Sequence, residues 1–222
     1  LDFLAGPARQ AEALYVLGDL FEYWAGDDDL DDPFNAKICA GLQRLSQSDV
    51  PLFFMAGNRD FLAGDGFASK AGLTLLPDPA LVEIAGASVL LMHGDTLCTD
   101  DDAYQMFRTE VRSPEWRKSF LALPLDQRKA KIEALRQESE AQKRAKPAEI
   151  MDVNPAAVLQ VLTSHRCTRL IHGHTHRPAL HRLAVAGEAC ERWVLPDWYE
   201  RGGYLACDAS GCRLLEWPPA AV

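Results

Sequence analysis

Apolar residues come in short runs that break at glycine beside a polar residue, and this recurs four times along the chain. "ALYVLGD" (13–19) runs to Gly18 and Asp19, and "VPLFFMAGNRD" (50–60) ends in Gly-Asn-Arg-Asp. "ASVLLMHGD" (87–95) ends in His-Gly-Asp, and "TRLIHGHTH" (168–176) ends in Gly-His-Thr-His. Short continuous apolar runs bounded by turn residues predict buried strands. Between them the spacing becomes helical. "DPFNAKICAGLQRL" (32–45) predicts a helix capped by Asp32, with Pro33 in its first turn and Phe34, Ile38, Leu42 and Leu45 along one face. "NPAAVLQVLTSH" (154–165) repeats the cap-plus-proline start, and Leu1, Phe3 and Leu4 read as part of a further helix. Near the end, "RWVL" (192–195) and "GYLACDASGCRLLEW" (203–217) predict an antiparallel tail with a Ser-Gly turn. Strands alternating with amphipathic helices predict an α/β architecture.

The totals narrow the function classes. With 222 residues, 48% of them hydrophobic, the chain can form one sizeable α/β domain with room for an insertion. A net charge of −9 argues against generic nucleic-acid binding, which needs a basic surface. Cys39, Cys98, Cys167, Cys190, Cys207 and Cys212 show no C-x-x-C spacing, so neither a disulfide scaffold nor a zinc ribbon is expected, and a reducing cytoplasm suits them. No run approaches the roughly 20 apolar residues of a membrane span, and no secretory signal is visible.

The four strand ends supply the chemistry. Binding sites in α/β folds form beyond the carboxyl ends of strands, where loops converge. One Gly-Asp is usually only a turn, but four such ends offering carboxylate, amide and imidazole are harder to explain that way. His172, His174 and His176 alternate, which places them on one side of an extended chain. A donor set of this kind without thiolates suits Mn²⁺, Fe²⁺ or Zn²⁺.

The order GD, GNRD, HGD, GHTH resembles that of the calcineurin-like metallophosphoesterases, which run D-x-H, G-D, G-N-H-[DE], G-H and G-H-x-H through a β-sandwich flanked by helices. Within that superfamily, "LGDLFEYWAGDDD", "GNRDFL", "LMHGDTLCTDDDAYQMFR", "IMDVN" and "LIHGHTHRPA" are similar to the UDP-2,3-diacylglucosamine hydrolases of lipid A biosynthesis, over essentially the whole chain. Arg59 belongs to that likeness, since most metallophosphoesterases have His at this place. The resemblance implies a metallophosphoesterase core over 1–101 and 147–222 and a helical cap insertion over 102–146.

It also implies a ligand set. One metal is held by Asp19, Asn58, His93 and His174, with Asp19 bridging to another metal that His176 also binds. The ion is expected to be Mn²⁺, two per chain once the Asp and His of the D-x-H motif complete the set. No D-x-H precedes Asp19 in these residues, so the natural chain is expected to carry roughly two dozen more, enough for a strand, its loop and a helix start. A protein beginning at Leu1 is accordingly expected to be unstable and essentially inactive. Asn58, Arg59 and His174 take the catalytic roles and also contact substrate. His172 reads as a histidine that packs or orients a ligand without binding metal.

Residues 105–146 hold eleven Lys and Arg against six Asp and Glu, so the remainder of the chain carries −14. A basic insert in an acidic protein suggests an anionic partner. With Phe107, Trp116, Phe120, Leu121, Leu123 and Leu125 in the same stretch, an anionic lipid surface fits, although charged helices are more often simply solvated. The resemblance makes this stretch a lid over the acyl chains of a nucleotide-linked glucosamine lipid. It places Asp101 on the glucosamine and Ser139, Lys143 and Lys146 on the substrate, Lys143 where relatives vary. The acidic run "GDDDLDD" (26–32) reads as a loop and helix cap.

The expected activity is hydrolysis of UDP-2,3-diacylglucosamine to UMP and 2,3-diacylglucosamine 1-phosphate (lipid X), with water attacking the uridine-side phosphorus. The expected setting is the cytoplasmic face of a bacterial inner membrane, bound peripherally. No obligate protein partner is indicated. Two other readings stay open: a metallophosphoesterase for a soluble nucleotide, which has no use for a greasy lid, and a non-catalytic lipid- or nucleotide-binding module.

Overall fold

The computed structural model describes residues 1–145 and 150–219, and the chain divides into two compact units. The first comprises Leu1–Leu76 and Thr99–Asp152. Its three-stranded parallel sheet has the order β1 (Leu14–Val16), β2 (Leu52–Met55), β3 (Thr74–Leu76). Its helices are α1 (Asp2–Ala5), α2 (Pro33–Ser46), α3 (Asp65–Ala71), α4 (Asp102–Val111), α5 (Pro114–Leu121) and α6 (Leu125–Ala145). An aromatic nucleus fills the space around the sheet: Phe67 meets Phe54 at 5.2 Å and Trp24 at 5.1 Å between ring centroids, and Phe21 meets Trp24 at 4.6 Å.

Helix α2 starts as expected, with the Asp32 carboxylate accepting from the Phe34 and Asn35 amides. Its buried face is rotated from the expected one. Asn35, Cys39, Leu42 and Leu45 point inward, while Phe34 is 58% exposed. Asn35 is held inside because its Nδ2 donates to the Asp29 carbonyl at 3.0 Å, a partner no periodicity reveals.

The acidic run is more than a loop and cap. Arg128 of α6 is buried, donates to the Ala25 carbonyl and pairs with Asp28. Next to it, the Lys129 ammonium lies 2.7 Å from buried Asp29 and 3.7 Å from Asp32. These partners hold the Asp28 carboxyl below its usual range and push the Lys129 ammonium up. Gly26 is required where the helix docks. Its φ is +133°, and a Cβ there would collide with the Arg128 guanidinium. Part of the basic surplus is thus neutralised inside the unit itself rather than by an external anion.

The second unit comprises Pro77–Cys98 and Val153–Val222. It contains β4 (Ala80–Ile84), β5 (Ala87–Met92), β6 (Arg169–His172), β7 (Ala179–Val185), β8 (Glu188–Val194), β9 (Gly202–Asp208), β10 (Gly211–Trp217) and helix α7 (Pro155–His165). The five-stranded sheet runs β4-β5-β6-β8-β7, with β5, β6 and β8 parallel and hairpin partners at both edges. Helix α7, capped by Asn154 as expected, packs Val158 and Leu162 into a core with Leu90, Met92, Leu97 and Leu170. Strands β9 and β10 form the expected antiparallel tail. Cys207 and Cys212 face each other in its register and are disulfide-bonded, which corrects the expectation of unpaired cysteines. A two-residue turn brings positions five apart into direct opposition, so pairing needs no C-x-x-C.

Among the described residues no helix is long and apolar enough to cross a membrane. Lys146 lies outside the described residues, as does the side chain of Lys143.

Candidate metal centre

Each unit uses the same device. Two neighbouring parallel strands end together, and the loops beyond them deliver ligand-type residues side by side. In the first unit, β1 and β2 pair Val16 with Phe54, so the loops carrying Asp19 and Asn58-Arg59-Asp60 begin next to each other. In the second, β5 and β6 pair Met92 with His172, immediately before His93 and His174.

The loops of the first unit are knotted by Asp60, which is fully buried. Its Oδ1 accepts from the amides of Gly57 at 2.7 Å and Asp19 at 3.2 Å; its Oδ2 accepts from those of Leu20 at 2.7 Å and Phe21 at 3.4 Å. Charge-assisted bonds to backbone N–H are among the stronger hydrogen bonds in proteins. Asp60, the fourth letter of GNRD, is not among the site residues expected from sequence. The knot turns the Asp19 side chain toward Arg59, whose amide donates to Asp19 Oδ1 at 2.9 Å and whose Nε stands 3.5 Å from Oδ2. Asn58 is half-buried in the same loop.

In the second unit His93 is buried and its carbonyl accepts from the Gly173 amide at 2.9 Å. The rings of His93 and His174 meet edge-on, 5.1 Å between centroids. Burial first, then the neighbouring His93, lowers the His174 pKa to about 3, with His176 and His172 adding to the effect and Asp95 opposing it. His174 is therefore neutral near physiological pH, the form in which imidazole ligates metal. His176 is more exposed, with Nδ1 3.8 Å from Asp197 Oδ2.

His172 is the buried odd member of the histidine trio. Its Nδ1 lies 2.9 Å from the Gly173 carbonyl and its Nε2 lies 3.1 Å from Nη1 of Arg192. Arg192 can only donate, so Nε2 accepts and Nδ1 carries the proton. A histidine held this way orients the loop that bears His174. Gly94 lies against it: at φ +117°, a Cβ would come within 2.8 Å of His172 Nδ1 and 3.1 Å of the Gly173 carbonyl oxygen.

Strain marks the same places. Asp19 (φ 55°), His174 (φ 66°) and His176 (φ 53°) are non-glycine residues in the left-handed region. Such conformations cost on the order of 1–3 kcal/mol each and cluster at functional sites. The first unit thus offers a carboxylate at Asp19, and the second a pair of imidazoles at His93 and His174. The residues fit a metal ion by donor chemistry: hard oxygen, neutral nitrogen and no thiolate. Asp101 caps α4, accepting from the Tyr104 amide at 3.1 Å, and Ser139 is exposed on α6.

The comparisons with known proteins agree with this chemistry. The family model described as calcineurin-like phosphoesterase matches residues 2–178. A protein of Aromatoleum aromaticum named UDP-2,3-diacylglucosamine hydrolase is 52% identical over 220 residues, which is 99% of this chain and 87% of that one. Relatives of the same name from Enterobacter and Pseudomonas putida are 48% and 50% identical, covering 98% and 96% of this chain and 90% and 89% of theirs. Strand ends, donor set and likeness over nearly the full length converge: the chain belongs to the calcineurin-like phosphoesterases, in the branch of the UDP-2,3-diacylglucosamine hydrolases.

Proposed function

We propose that this chain hydrolyses the pyrophosphate bond of UDP-2,3-diacylglucosamine, giving UMP and 2,3-diacylglucosamine 1-phosphate. The observation that supports it most is the 52% identity, over 99% of the chain, to a protein named for that reaction. In this reading Asp19, Asn58, His93 and His174 hold one divalent ion, and Asp19 and His176 contribute to holding another. Mn²⁺ is the ion favoured by the oxygen and imidazole donors. When bound, the metal would activate water near neutral pH and draw charge from the phosphoryl oxygens.

The chain's own groups do the rest. Neutral His174 offers a ring nitrogen without first losing a proton. The Asn58 side-chain oxygen can face metal or its amide can face phosphate. Arg59 presents a planar fork that matches phosphoryl geometry better than a lysine ammonium. Asp101 is proposed to bind the glucosamine, and Ser139, Lys143 and Lys146 to contact the substrate, with 102–146 acting as a cap on the core.

The exposed apolar residues of that stretch support a lipid substrate and peripheral contact with the cytoplasmic face of the inner membrane. Met106 is 75%, Phe107 42% and Leu121 39% exposed, on helices that also carry Arg108, Arg117 and Lys118. Trp116 and Phe120 fit less well, since they stack on each other at 4.5 Å and Phe120 is buried. The test is acyl selectivity. With Mn²⁺ present, kcat/KM for UDP-2,3-diacylglucosamine should exceed that for the unacylated UDP-glucosamine by about 100-fold or more, the order expected when several buried methylenes each contribute about 0.8 kcal/mol. Equal values would favour the soluble-nucleotide reading.

A further inference from the structure

Glu22 lies three residues beyond Asp19, and its side chain is 51% exposed. Its Oε2 accepts from Nη1 of Arg59 and, at 2.9 Å, from Nη2 of Arg136 on α6. Arg136 also sets its guanidinium carbon 5.9 Å from the centroid of the Tyr23 ring, so two adjacent residues grip the same arginine. Beyond Arg59, the Nε to Asp19 Oδ2 contact at 3.5 Å continues the line. Alternating charges therefore run Arg136, Glu22, Arg59, Asp19, from a surface helix to the carboxylate proposed as a metal ligand. All four belong to one compact unit.

Stability does not account for this arrangement, because exposed ion pairs contribute little. Geometry does. An arginine side chain has many rotamers to lose, and a guanidinium that acts on a phosphoryl group must already be aimed when the charge develops. Asp19 holds Arg59 at Nε and Glu22 holds it at Nη1, which sets the plane of the guanidinium. Five N–H donors exceed what two anchors consume, so an anchored Arg59 still has donors to offer a phosphoryl oxygen. With Asp19 alone, the guanidinium can swing about its Nε contact.

We propose that Glu22 is a positioning residue for the hydrolysis, holding Arg59 in its working orientation while Arg136 of α6 holds Glu22. The inference rests on the reading of Arg59 given above, and the experiment separates the two. The probes are Glu22→Gln, Arg136→Ala, Arg59→Ala and the double variant Glu22→Gln/Arg59→Ala, in the full natural chain with Mn²⁺ and UDP-2,3-diacylglucosamine. Glu22→Gln keeps the shape and removes the charge that draws both arginines. It should lower kcat about tenfold, roughly 1.4 kcal/mol of barrier, with KM and melting temperature little changed. Arg136→Ala should lower kcat less, by about threefold, because Glu22 still accepts from Arg59. In the Arg59→Ala background Glu22→Gln should add no further loss, since a positioning residue has nothing left to position.

Wild-type kcat in Glu22→Gln beside an inactive Arg59→Ala would overturn the role of Glu22 and leave that of Arg59 standing. An active Arg59→Ala would overturn both. Losses that multiply in the double variant would mean that Glu22 acts elsewhere, and a loss that tracks a lowered melting temperature would assign it to the fold; either overturns the proposal.

Discussion

His174→Ala and His93→Ala should each lose a bound metal and reduce hydrolysis by about 10³-fold or more, beyond the 10–100-fold typical of groups that merely orient a ligand. His93 is buried at the end of β5, and His174 follows the neighbouring strand β6, so alanine at either place removes an imidazole donor. His174 is also neutral already, its pKa lowered to about 3 by burial and by His93. No proton has to be expelled when metal arrives, so affinity should change little with pH on account of this residue above about pH 4. Metal analysis of the purified variants beside the parent checks the prediction. Two ions retained per chain in either variant would remove His93 and His174 from the ligand set. His172→Asn provides contrast, since its partners are the Gly173 carbonyl and Arg192, and a 10–100-fold loss with metal retained is expected there.

Arg59→Ala should lower kcat by about 10²–10³ with little change in KM, the size of effect seen when one donor to developing transition-state charge is removed. The structure supports that magnitude. Arg59 is 18% exposed, its amide is bound to Asp19, and its guanidinium is anchored at two nitrogens, so the role proposed for it on the phosphoryl group needs little reorganisation. Arg59→Lys should recover only a small part of the loss, because an ammonium cannot span two anchors and a phosphoryl oxygen. Steady-state kinetics with each variant decides the matter. A rise in KM at constant kcat would place Arg59 in substrate binding alone.

The strands that deliver the site were legible because each apolar run stops at glycine beside a ligand-type residue, and β1, β2, β5 and β6 all end there. The caps of α2 and α7 were equally plain, since Asp-Pro and Asn-Pro are local signals that local hydrogen bonds realise. What escaped either lacks a turn signal or depends on contacts distant in sequence. Strands β4 and β7 enter hairpins through Ala85-Gly86 and Ala186-Gly187, with both alanines at positive φ, and alanine lacks the turn signal of asparagine or aspartate. The acidic run gave no hint that Arg128 and Lys129, about a hundred residues away, dock on it. Phe34 followed the helical period but faces solvent, because Asn35 found a backbone carbonyl inside.

The candidate site divides in the same way. Asp19, His93 and His174 were recognisable as donors from their strand-end positions, and the fold holds Asp19 and His174 in conformations that are locally costly. Asp60 and Glu22 were not, because their work is done on amides and guanidinium groups that only folding brings near. A carboxylate that accepts four backbone N–H groups reads in sequence as one more turn residue.

Hydrolysis in oxygen-18 water tests the central claim most directly, because it reports at once that water is the nucleophile and which phosphorus it attacks. With the full natural chain, Mn²⁺ and UDP-2,3-diacylglucosamine, a single solvent oxygen should appear in UMP and none in 2,3-diacylglucosamine 1-phosphate. Label in the sugar phosphate instead would contradict the account, reversing the leaving group and removing Arg59 from the phosphorus it is proposed to serve.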